Sequence, residues 1–144
     1  MSEDGARHYA GDVTPEEAWD ILRTDKSAVL IDCRTDAEWS YVGQTDLSGL
    51  RKEQLNIAWK DFPTMEINPA FAEEIAAACP DKRTKLLMMC RSGLRSIDAA
   101  IAATEAGYGR AYNILEGFEG EKDVNGHRGN IGGWKHRGLP WKQG

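Results

Sequence analysis

The sequence predicts a single-domain α/β fold in which a doubly wound parallel sheet is flanked by helices. Short apolar runs with β-branched residues alternate along the chain with segments whose apolar residues recur at helical spacing. Such alternation is typical of a parallel sheet built from successive strand–helix units, with helices on both faces. The length of 144 residues matches one domain with an ordinary hydrophobic core.

The apolar runs are predicted to be the strands of this sheet. Runs of this length indicate strands when both of their faces are buried. The predicted strands are an edge strand within 8–13, buried runs at 28–32 (AVLID) and 86–90 (LLMMC), and further runs at 55–59 (LNIAW) and 111–115 (AYNIL).

Helical patterns separate the predicted strands. The first helix begins near Thr14, because 14–17 (TPEE) has the sequence of a capping box with proline at the first helical position. Another helix begins after 68–69 (NP) and ends at Pro80, which cannot continue a helix.

The last predicted helix spans 96–106. Gly107 stands where a left-handed C-terminal cap is expected. The side chains predicted to face the sheet from this helix are Ile97, Ala100, Ile101 and Thr104.

The carboxyl ends of the predicted strands form the expected ligand-binding edge, because ligands of open parallel sheets bind there. That edge would contain 32–34 (DCR), the residues that follow Cys90, and 115–117 (LEG). The glycine-rich stretch from 117 to 133 is predicted to form a long loop, and loops of this length in a compact domain are often functional.

The composition excludes several classes of function. The 18 Lys and Arg residues against 23 Asp and Glu give a net charge of −5, whereas nucleic-acid binding requires a basic surplus. No stretch approaches the ~20 apolar residues of a membrane helix, so no membrane partner is expected. The polar start lacks the apolar region of a secretory signal, which predicts a cytoplasmic protein with a flexible tail at 1–7 and the domain at 8–144.

The cysteines of the chain are Cys33, Cys79 and Cys90. An odd and sparse set without a signal peptide does not indicate a disulfide framework. The spacing of these cysteines also differs from the closely paired cysteines of zinc knuckles. Their chemistry is therefore expected to be that of free thiols.

The segment 90–96 (CRSGLRS) carries the most informative pattern. A sharp turn between a strand and a helix lets successive backbone N–H groups converge, and the positive end of the helix dipole adds to them. Arg91 and Arg95 contribute positive charge, and Gly93 allows the turn without a Cβ clash. This combination favours the thiolate form of Cys90, which is the nucleophilic form of cysteine.

This segment resembles the active-site loop of the rhodanese family, and the resemblance extends over nearly the whole chain. The motifs follow one another in the order that the family has. They are 32–39 (DCRTDAEW), similar to Asp-x-Arg-x-x-x-Glu-aromatic; 107–108 (GY) and 115–117 (LEG), similar to the stretch after the loop helix; and 134–140 (WKHRGLP), similar to the closing Trp-x-x-x-Gly-Leu-Pro.

The resemblance implies a rhodanese-like fold and a thiosulfate sulfurtransferase that works by a ping-pong reaction. Cys90 would take a sulfane sulfur from a small anionic donor such as thiosulfate, become a persulfide, and pass the sulfur to cyanide, a thiol or a protein acceptor. No metal or organic cofactor is expected, because the protein sulfur is the carrier. Arg91 and Arg95 would bind the donor's charge. The residues whose amides would cradle the donor or the persulfide are Arg91, Ser92, Gly93, Leu94, Arg95 and Ser96.

The chain departs from the family pattern in several places. The pair 44–45 (QT) stands where many members have His-Ile, and Phe118 stands where a second glycine often occurs. The regions 46–62 and 119–133 are longer than usual. None of these departures changes Cys90, so they bear on substrate access more than on the class of reaction.

Asp32, Arg34 and Glu38 are interpreted as supporting residues that orient a strand end and the active loop through charge-assisted hydrogen bonds. A catalytic role is the alternative, but sulfur transfer needs no general base if the loop already stabilises the thiolate. Cys33 is expected to be a small core residue. The alternative is that Cys33 forms a disulfide with Cys90 after transfer or oxidation.

Other functions remain as alternatives. A cysteine phosphatase or an arsenate reductase would share the thiolate chemistry, but those enzymes resemble Cys-x5-Arg, whereas Arg95 follows Cys90 in a Cys-x4-Arg pattern. The loop is therefore short for a tetrahedral oxyanion and better sized for one added sulfur. A non-enzymatic binding module, or a relay that hands persulfide sulfur to a protein partner, is the other alternative.

Overall fold

The computed structural model describes residues 9–61, 66–93 and 95–142. Each predicted strand and helix has a counterpart among the described residues, although the strand predicted at 55–59 is shortened to 55–56. A helix at 36–41 and the short strands at 44–45, 60–61, 66–67 and 141–142 were not predicted. In chain order the elements are β1 (Gly11–Val13), α1 (Pro15–Thr24), β2 (Val29–Asp32), α2 (Asp36–Tyr41), β3 (Gln44–Thr45), a 3-10 turn (Ser48–Leu50), β4 (Leu55–Asn56), β5 (Lys60–Asp61), β6 (Glu66–Ile67), α3 (Phe71–Ala78), β7 (Leu86–Met89), α4 (Arg95–Glu105), β8 (Ala111–Ile114) and β9 (Trp141–Lys142).

The central sheet is parallel and has the strand order β1-β8-β7-β2-β4. β3 pairs with β9, and β5 with β6, in small antiparallel ribbons. In the sheet, Asp32 of β2 lies opposite Met89 of β7, so the residues that follow these strands emerge side by side. The predicted single-domain α/β fold is confirmed, including the edge position of the first strand.

Alternate residues of the central strands point to opposite faces of the sheet. Ile31 and Met88 pack on the face that α3 and α4 cover. Leu30 and Leu87 pack on the other face, under α1 and the C-terminal Trp134. Because both faces are buried, β2 and β7 are apolar at nearly every position, which is what made these strands recognisable in the sequence.

The start of α1 agrees with its predicted capping box. The Thr14 hydroxyl accepts the Glu17 N–H at 3.1 Å, and the Glu17 carboxylate accepts the Thr14 N–H at 2.8 Å. Pro15 occupies the first helical position, where an N–H would have no helical partner. A cap of this kind stabilises a helix by about 1 kcal/mol, so it fixes where α1 begins after β1.

The buried face of α4 differs from the prediction. The prediction was wrong for Ile97, Ile101 and Thr104, which are only half-buried, and the Thr104 hydroxyl donates to the backbone carbonyl of Ala100. Small side chains face the sheet instead and let the helix lie close to β7 and β8. These buried residues are Ser96, Ala99, Ala100 and Ala103.

The glycine-rich stretch from 117 to 133 contains no helix or strand, as predicted. It leads to Trp134, which is fully buried and meets the Trp19 ring edge-on, with centroids 6.0 Å apart. The pairing of β9 with β3 then holds the end of the described chain. These contacts pin the C-terminal segment to the core.

The tail predicted at 1–7 lies outside the described residues, so its boundary with the domain at 8–144 stays a prediction. Within the described ranges, no helix is long and apolar enough to cross a bilayer.

Candidate active site

Cys90 directly follows β7 at the carboxyl edge of the sheet, and α4 begins at Arg95. The connecting loop turns at Gly93, whose φ is 95°. A Cβ on Gly93 would also lie 3.0 Å from the backbone nitrogen of Glu116. Both the backbone conformation and the close packing against the segment after β8 therefore require glycine here.

Hydrogen-bond donors converge on the sulfur of Cys90. The N–H of Gly93 donates to Sγ at 3.2 Å, and the N–H of Ser96 donates to it at 3.4 Å. The Ser96 hydroxyl lies 3.3 Å from the same atom. Because Ser96 belongs to the first turn of α4, the positive end of the helix dipole adds to the two N–H donors. The arrangement favours a negative charge on the sulfur.

The remaining residues of the predicted cradle have different surroundings. Arg91 is exposed, and its side chain forms no hydrogen bond or ion pair with the described residues. Ser92 is half-buried in the turn. Leu94 lies outside the described residues, so its predicted role stays a prediction. The guanidinium of Arg91 is thus accessible to an anion from solvent.

Arg95, in contrast, is engaged by Glu38. The guanidinium donates to both carboxylate oxygens at 2.9 Å, and the two side chains are 20% and 16% exposed. Burial alone would raise the pKa of the Glu38 carboxyl, but the hydrogen bond and charge of Arg95 outweigh it and lower that pKa below its ordinary value. The ion pair connects α2 to the start of α4, beside Cys90.

Asp32 and Arg34 form a fully buried ion pair below the site. Nη2 of Arg34 donates to Oδ2 of Asp32 at 2.7 Å and to the carbonyl of Gly43 at 2.6 Å. Nε2 of Gln54 donates to the same carboxylate at 2.9 Å. The guanidinium lies over the Phe118 ring, 4.4 Å from its centroid. The pair therefore joins the end of β2 to several loops of the sheet edge.

The segment after β8 supports the active loop from behind. The N–H of Phe118 donates to the Cys90 carbonyl at 2.8 Å, and the N–H of Glu119 donates to the Arg91 carbonyl at 2.9 Å. Gly117, with a φ of 61°, lies so close that a Cβ would collide with the carbonyl oxygen of Cys90. The start of the long glycine-rich loop is thus part of the frame of the site.

The side chains of Asn113 and Asp12 extend the site but were not identified from the sequence. The Ser96 hydroxyl donates to Oδ1 of Asn113 at 2.5 Å, and Nδ2 of Asn113 donates to Oδ1 of Asp12 at 3.0 Å. Asn113 is fully buried in the middle of β8. A polar residue within the otherwise apolar run 111–115 was the available signal for it.

Cys33 lies beside Cys90, at the end of the neighbouring strand. Its backbone N–H and its thiol both donate to the Met89 carbonyl, at 2.8 Å and 3.0 Å. Burial, followed by the charge of Cys90, raises the pKa of the Cys33 thiol well above its ordinary value. Cys33 is therefore held as a thiol in the core, and its participation in a disulfide stays a hypothesis.

The chemistry available at this edge is that of a sulfur nucleophile. Cys90 can attack an electrophilic atom of an anionic substrate and hold the transferred group covalently. The amides of Gly93 and Ser96 stabilise the anionic sulfur, and Arg91 offers a positive charge. Over the described part of the chain, no group of three or more His, Cys, Asp or Glu side chains is arranged to hold a metal ion.

Known proteins are similar to the chain over most of its length. The model of the rhodanese-like domain matches residues 14–123. An uncharacterized protein of Rickettsia rickettsii is 35% identical over 127 residues, which cover 88% of this chain and 92% of that protein. The thiosulfate sulfurtransferase GlpE of Actinobacillus succinogenes is 26% identical over 129 residues, which cover 90% of this chain and 87% of that protein.

Solved structures are also similar to the chain. The crystal structure of Rv0390 from M. tuberculosis has a TM-score of 0.87 and 46% identity, and the match covers 95% of this chain and 100% of that one. The solution structure of the polysulfide-sulfur transferase homodimer from Wolinella succinogenes shares the fold, with a TM-score of 0.62, 19% identity, and coverage of 91% and 77%. The sheet topology, the cysteine loop and the match to the family model agree, and the chain belongs to the rhodanese-like domain family.

Proposed function

We propose that the chain is a sulfurtransferase in which Cys90 carries the transferred sulfur as a persulfide. The observation that carries this proposal is the convergence of the Gly93 and Ser96 N–H groups on the Cys90 sulfur, at 3.2 Å and 3.4 Å. Family membership and the similarity to a thiosulfate sulfurtransferase support a role in sulfur transfer.

In the first half-reaction the Cys90 thiolate attacks the outer sulfur of thiosulfate. A new S–S bond forms to Cys90, the S–S bond of the donor breaks, and sulfite leaves with the electron pair of that bond. Charge and electrons balance without an oxidant or an added proton. Cys90 is 1% exposed, so we expect a donor to reach the sulfur only after a local movement of the site.

The charge of the donor is met mainly by Arg91. Both oxygens of the Glu38 carboxylate already accept from Arg95, so the charge of that guanidinium is compensated within the protein. Arg91 is exposed and has no such partner among the described residues. A cationic loop of this kind favours an anionic donor such as thiosulfate over a neutral one.

In the second half-reaction an acceptor attacks the outer sulfur of the persulfide. Cyanide becomes thiocyanate, or a thiolate becomes a persulfide, and Cys90 leaves as the thiolate that the loop amides stabilise. A thiol on a protein partner would accept the sulfur in the same way. The cycle requires reduced Cys90, so we place it in a reducing compartment such as the cytoplasm.

Steady-state formation of thiocyanate from thiosulfate and cyanide tests the proposal. Double-reciprocal plots at several cyanide concentrations should be parallel, because the reaction passes through a covalent intermediate. Cys90→Ser should abolish turnover, whereas Cys79→Ser, at the buried end of α3, should retain it. The proposal fails if the wild type forms no thiocyanate, or if Cys90→Ser still turns over.

A further inference from the structure

A chain of hydrogen bonds links the Cys90 sulfur to the edge of the sheet through side chains that the proposed transfer does not use. Oγ of Ser96 lies 3.3 Å from the Cys90 sulfur and 2.5 Å from Oδ1 of Asn113. Nδ2 of Asn113 lies 3.0 Å from Oδ1 of Asp12. Ser96 and Asn113 are fully buried, whereas Asp12 is exposed on the edge strand β1. The chain thus runs from the nucleophile to solvent across α4, β8 and β1.

Asp12 fixes the orientation of the Asn113 amide. An ionised carboxylate only accepts hydrogen bonds, so the NH₂ group of Asn113 faces Asp12 and the amide oxygen faces Ser96. The Tyr9 hydroxyl also donates to Oδ1 of Asp12, at 2.9 Å, and helps to hold the carboxylate in place. Asn113 therefore presents an acceptor, and not a donor, to the Ser96 hydroxyl.

The position of the hydroxyl hydrogen of Ser96 follows from this orientation. A serine hydroxyl has a single hydrogen, and Asn113 accepts it. The side of the Ser96 oxygen that faces Cys90 then carries a lone pair. This lone pair can accept a hydrogen bond from the S–H of a thiol, but it cannot stabilise a thiolate. When Cys90 is ionised, Asn113 and the sulfur compete for the same hydrogen.

We propose that Asn113 is a positioning residue that controls the charge state of Cys90 through the Ser96 hydroxyl. By holding the hydroxyl hydrogen, Asn113 leaves the thiolate with the N–H groups of Gly93 and Ser96 as donors. A thiolate with fewer donors is more basic, and the intrinsic nucleophilicity of sulfur rises with its basicity. In the persulfide the charge moves to the outer sulfur, so the constraint raises the energy of the free thiolate and favours loading once Cys90 is ionised.

Other titratable and charged groups also act on Cys90. Arg95 and Cys33 interact with it electrostatically, and Glu38 compensates the charge of Arg95. Arg91 follows Cys90 on the loop, and Asp12 lies at the far end of the hydrogen-bond chain. Changing Asn113 alters none of these charges, so a shift in the titration of Cys90 would report on the hydrogen bond.

The pH dependence of Cys90 alkylation by iodoacetamide tests this inference in the full chain. Asn113→Ala removes the acceptor and frees the Ser96 hydroxyl to donate to the thiolate. The pH of half-maximal rate should fall by about one unit. The limiting rate at high pH should fall about threefold. The same change in an exposed loop, Asn130→Ala, should leave both quantities unchanged.

Ser96→Ala tests whether the effect passes through the hydroxyl. In that background, adding Asn113→Ala should produce no further shift. An unchanged or higher half-maximal pH in Asn113→Ala, or an equal shift in the background without the Ser96 hydroxyl, overturns the inference.

A second variant covers the case in which Asn113→Ala does not fold. Asp12→Ala, at an exposed position, lets the Asn113 amide turn and release the Ser96 hydroxyl, so a smaller fall in the half-maximal pH is expected. Asp12→Asn keeps an acceptor for the amide and controls for the lost charge. No difference between these two variants also overturns the inference.

The effect of Asn113 on sulfur loading rests on the proposed function, but the alkylation test needs no sulfur donor. A protein that shows the alkylation shift without transferring sulfur contradicts the proposed function and leaves the control by Asn113 intact. A protein that transfers sulfur without the alkylation shift supports the proposed function and contradicts the control by Asn113.

Discussion

The neighbouring strands β2 and β7 are each followed by the dipeptide Cys-Arg, at 33–34 and at 90–91. Their cysteines nevertheless have opposite surroundings. The thiol of Cys33 donates to the Met89 carbonyl at 3.0 Å, whereas the sulfur of Cys90 accepts backbone N–H groups at 3.2 Å and 3.4 Å. A helix follows each cysteine, α2 from Asp36 and α4 from Arg95, so the difference lies in the connecting loops. The loop after Cys90 turns at Gly93 and brings the N–H groups of Gly93 and Ser96 to the sulfur.

The two arginines of these dipeptides differ in the same way. Arg34 is fully buried and donates to the Asp32 carboxylate, while Arg91 is exposed to solvent. Arg34 therefore connects parts of the sheet edge, whereas Arg91 is exposed and is expected to contact a substrate. If this contrast is correct, changes at one strand end should alter stability, and changes at the other should alter chemistry.

The largest effect is expected from Arg34→Ala. This change leaves the Asp32 carboxylate buried without its ion-pair partner, and breaking a buried pair in this way costs about 3 to 5 kcal/mol of unfolding free energy. Urea unfolding measures this loss. Arg91→Ala is the matched control and should stay within about 0.5 kcal/mol of the wild type. Similar losses for both variants would contradict the contrast.

The cysteines should differ in their rates of alkylation at neutral pH. Burial and the charge of Cys90 raise the pKa of Cys33, so Cys33 stays a thiol at neutral pH and reacts appreciably only in alkali. We expect iodoacetamide to modify Cys90 at least about tenfold faster than Cys33, because the thiolate is the reactive form. Peptide mass spectrometry after limited labelling measures both rates. Faster labelling of Cys33 would reverse the assignment.

A smaller effect is expected from Arg91→Ala on the use of thiosulfate. Loss of an exposed ionic contact is worth up to about 1 kcal/mol, so the KM for thiosulfate should rise about fivefold while kcat changes little. Arg91→Lys keeps the charge and should give a smaller rise. An unchanged KM in Arg91→Ala would remove this residue from the donor site.

The smallest effect concerns the pH dependence of the Glu38–Arg95 pair. The pKa of Glu38 is lowered in the folded protein, so the pair stabilises the fold above the ordinary pKa of 4.5 and loses this contribution as the pH falls through the lowered value. Glu38→Gln should therefore be less stable than the wild type by about 1 kcal/mol at neutral pH. The difference should shrink in urea unfolding as the pH is lowered from neutral to below 4.5. A constant difference would show that the Glu38 charge is not its source.

Much of the fold could be predicted because its signals are local. The runs that became β2 and β7 are buried on both faces and therefore apolar throughout. The loop of the candidate site is one continuous segment, 90–96, whose cysteine, arginines and glycine indicate a thiolate site without information from the rest of the chain. The prediction for α4 was wrong where Ile97 and Ile101 were placed inward, because periodicity alone does not show that close packing on the sheet favours small residues.

The supporting role of Asp32, Arg34 and Glu38 was predicted, but partners that lie far apart in the chain could not be. Glu38 and Arg95 are 57 positions apart, and Asp12 and Asn113 are 101 apart. Such pairs depend on the order of the parallel strands, and no local pattern gives that order. Phe118 was noted only as a departure from the family pattern, and the structure shows that its ring covers the buried Arg34 guanidinium.

The most direct test of the account is the mass of the reduced protein after treatment with thiosulfate. We expect the wild type to gain one sulfur, about 32 Da, and peptide mapping to place it on Cys90, since the intermediate is covalent. Cys90→Ser should gain nothing, and Cys79→Ser should gain the same mass as the wild type. No gain by the wild type, or a sulfur located on Cys33, would contradict the assignment of Cys90 as the sulfur carrier.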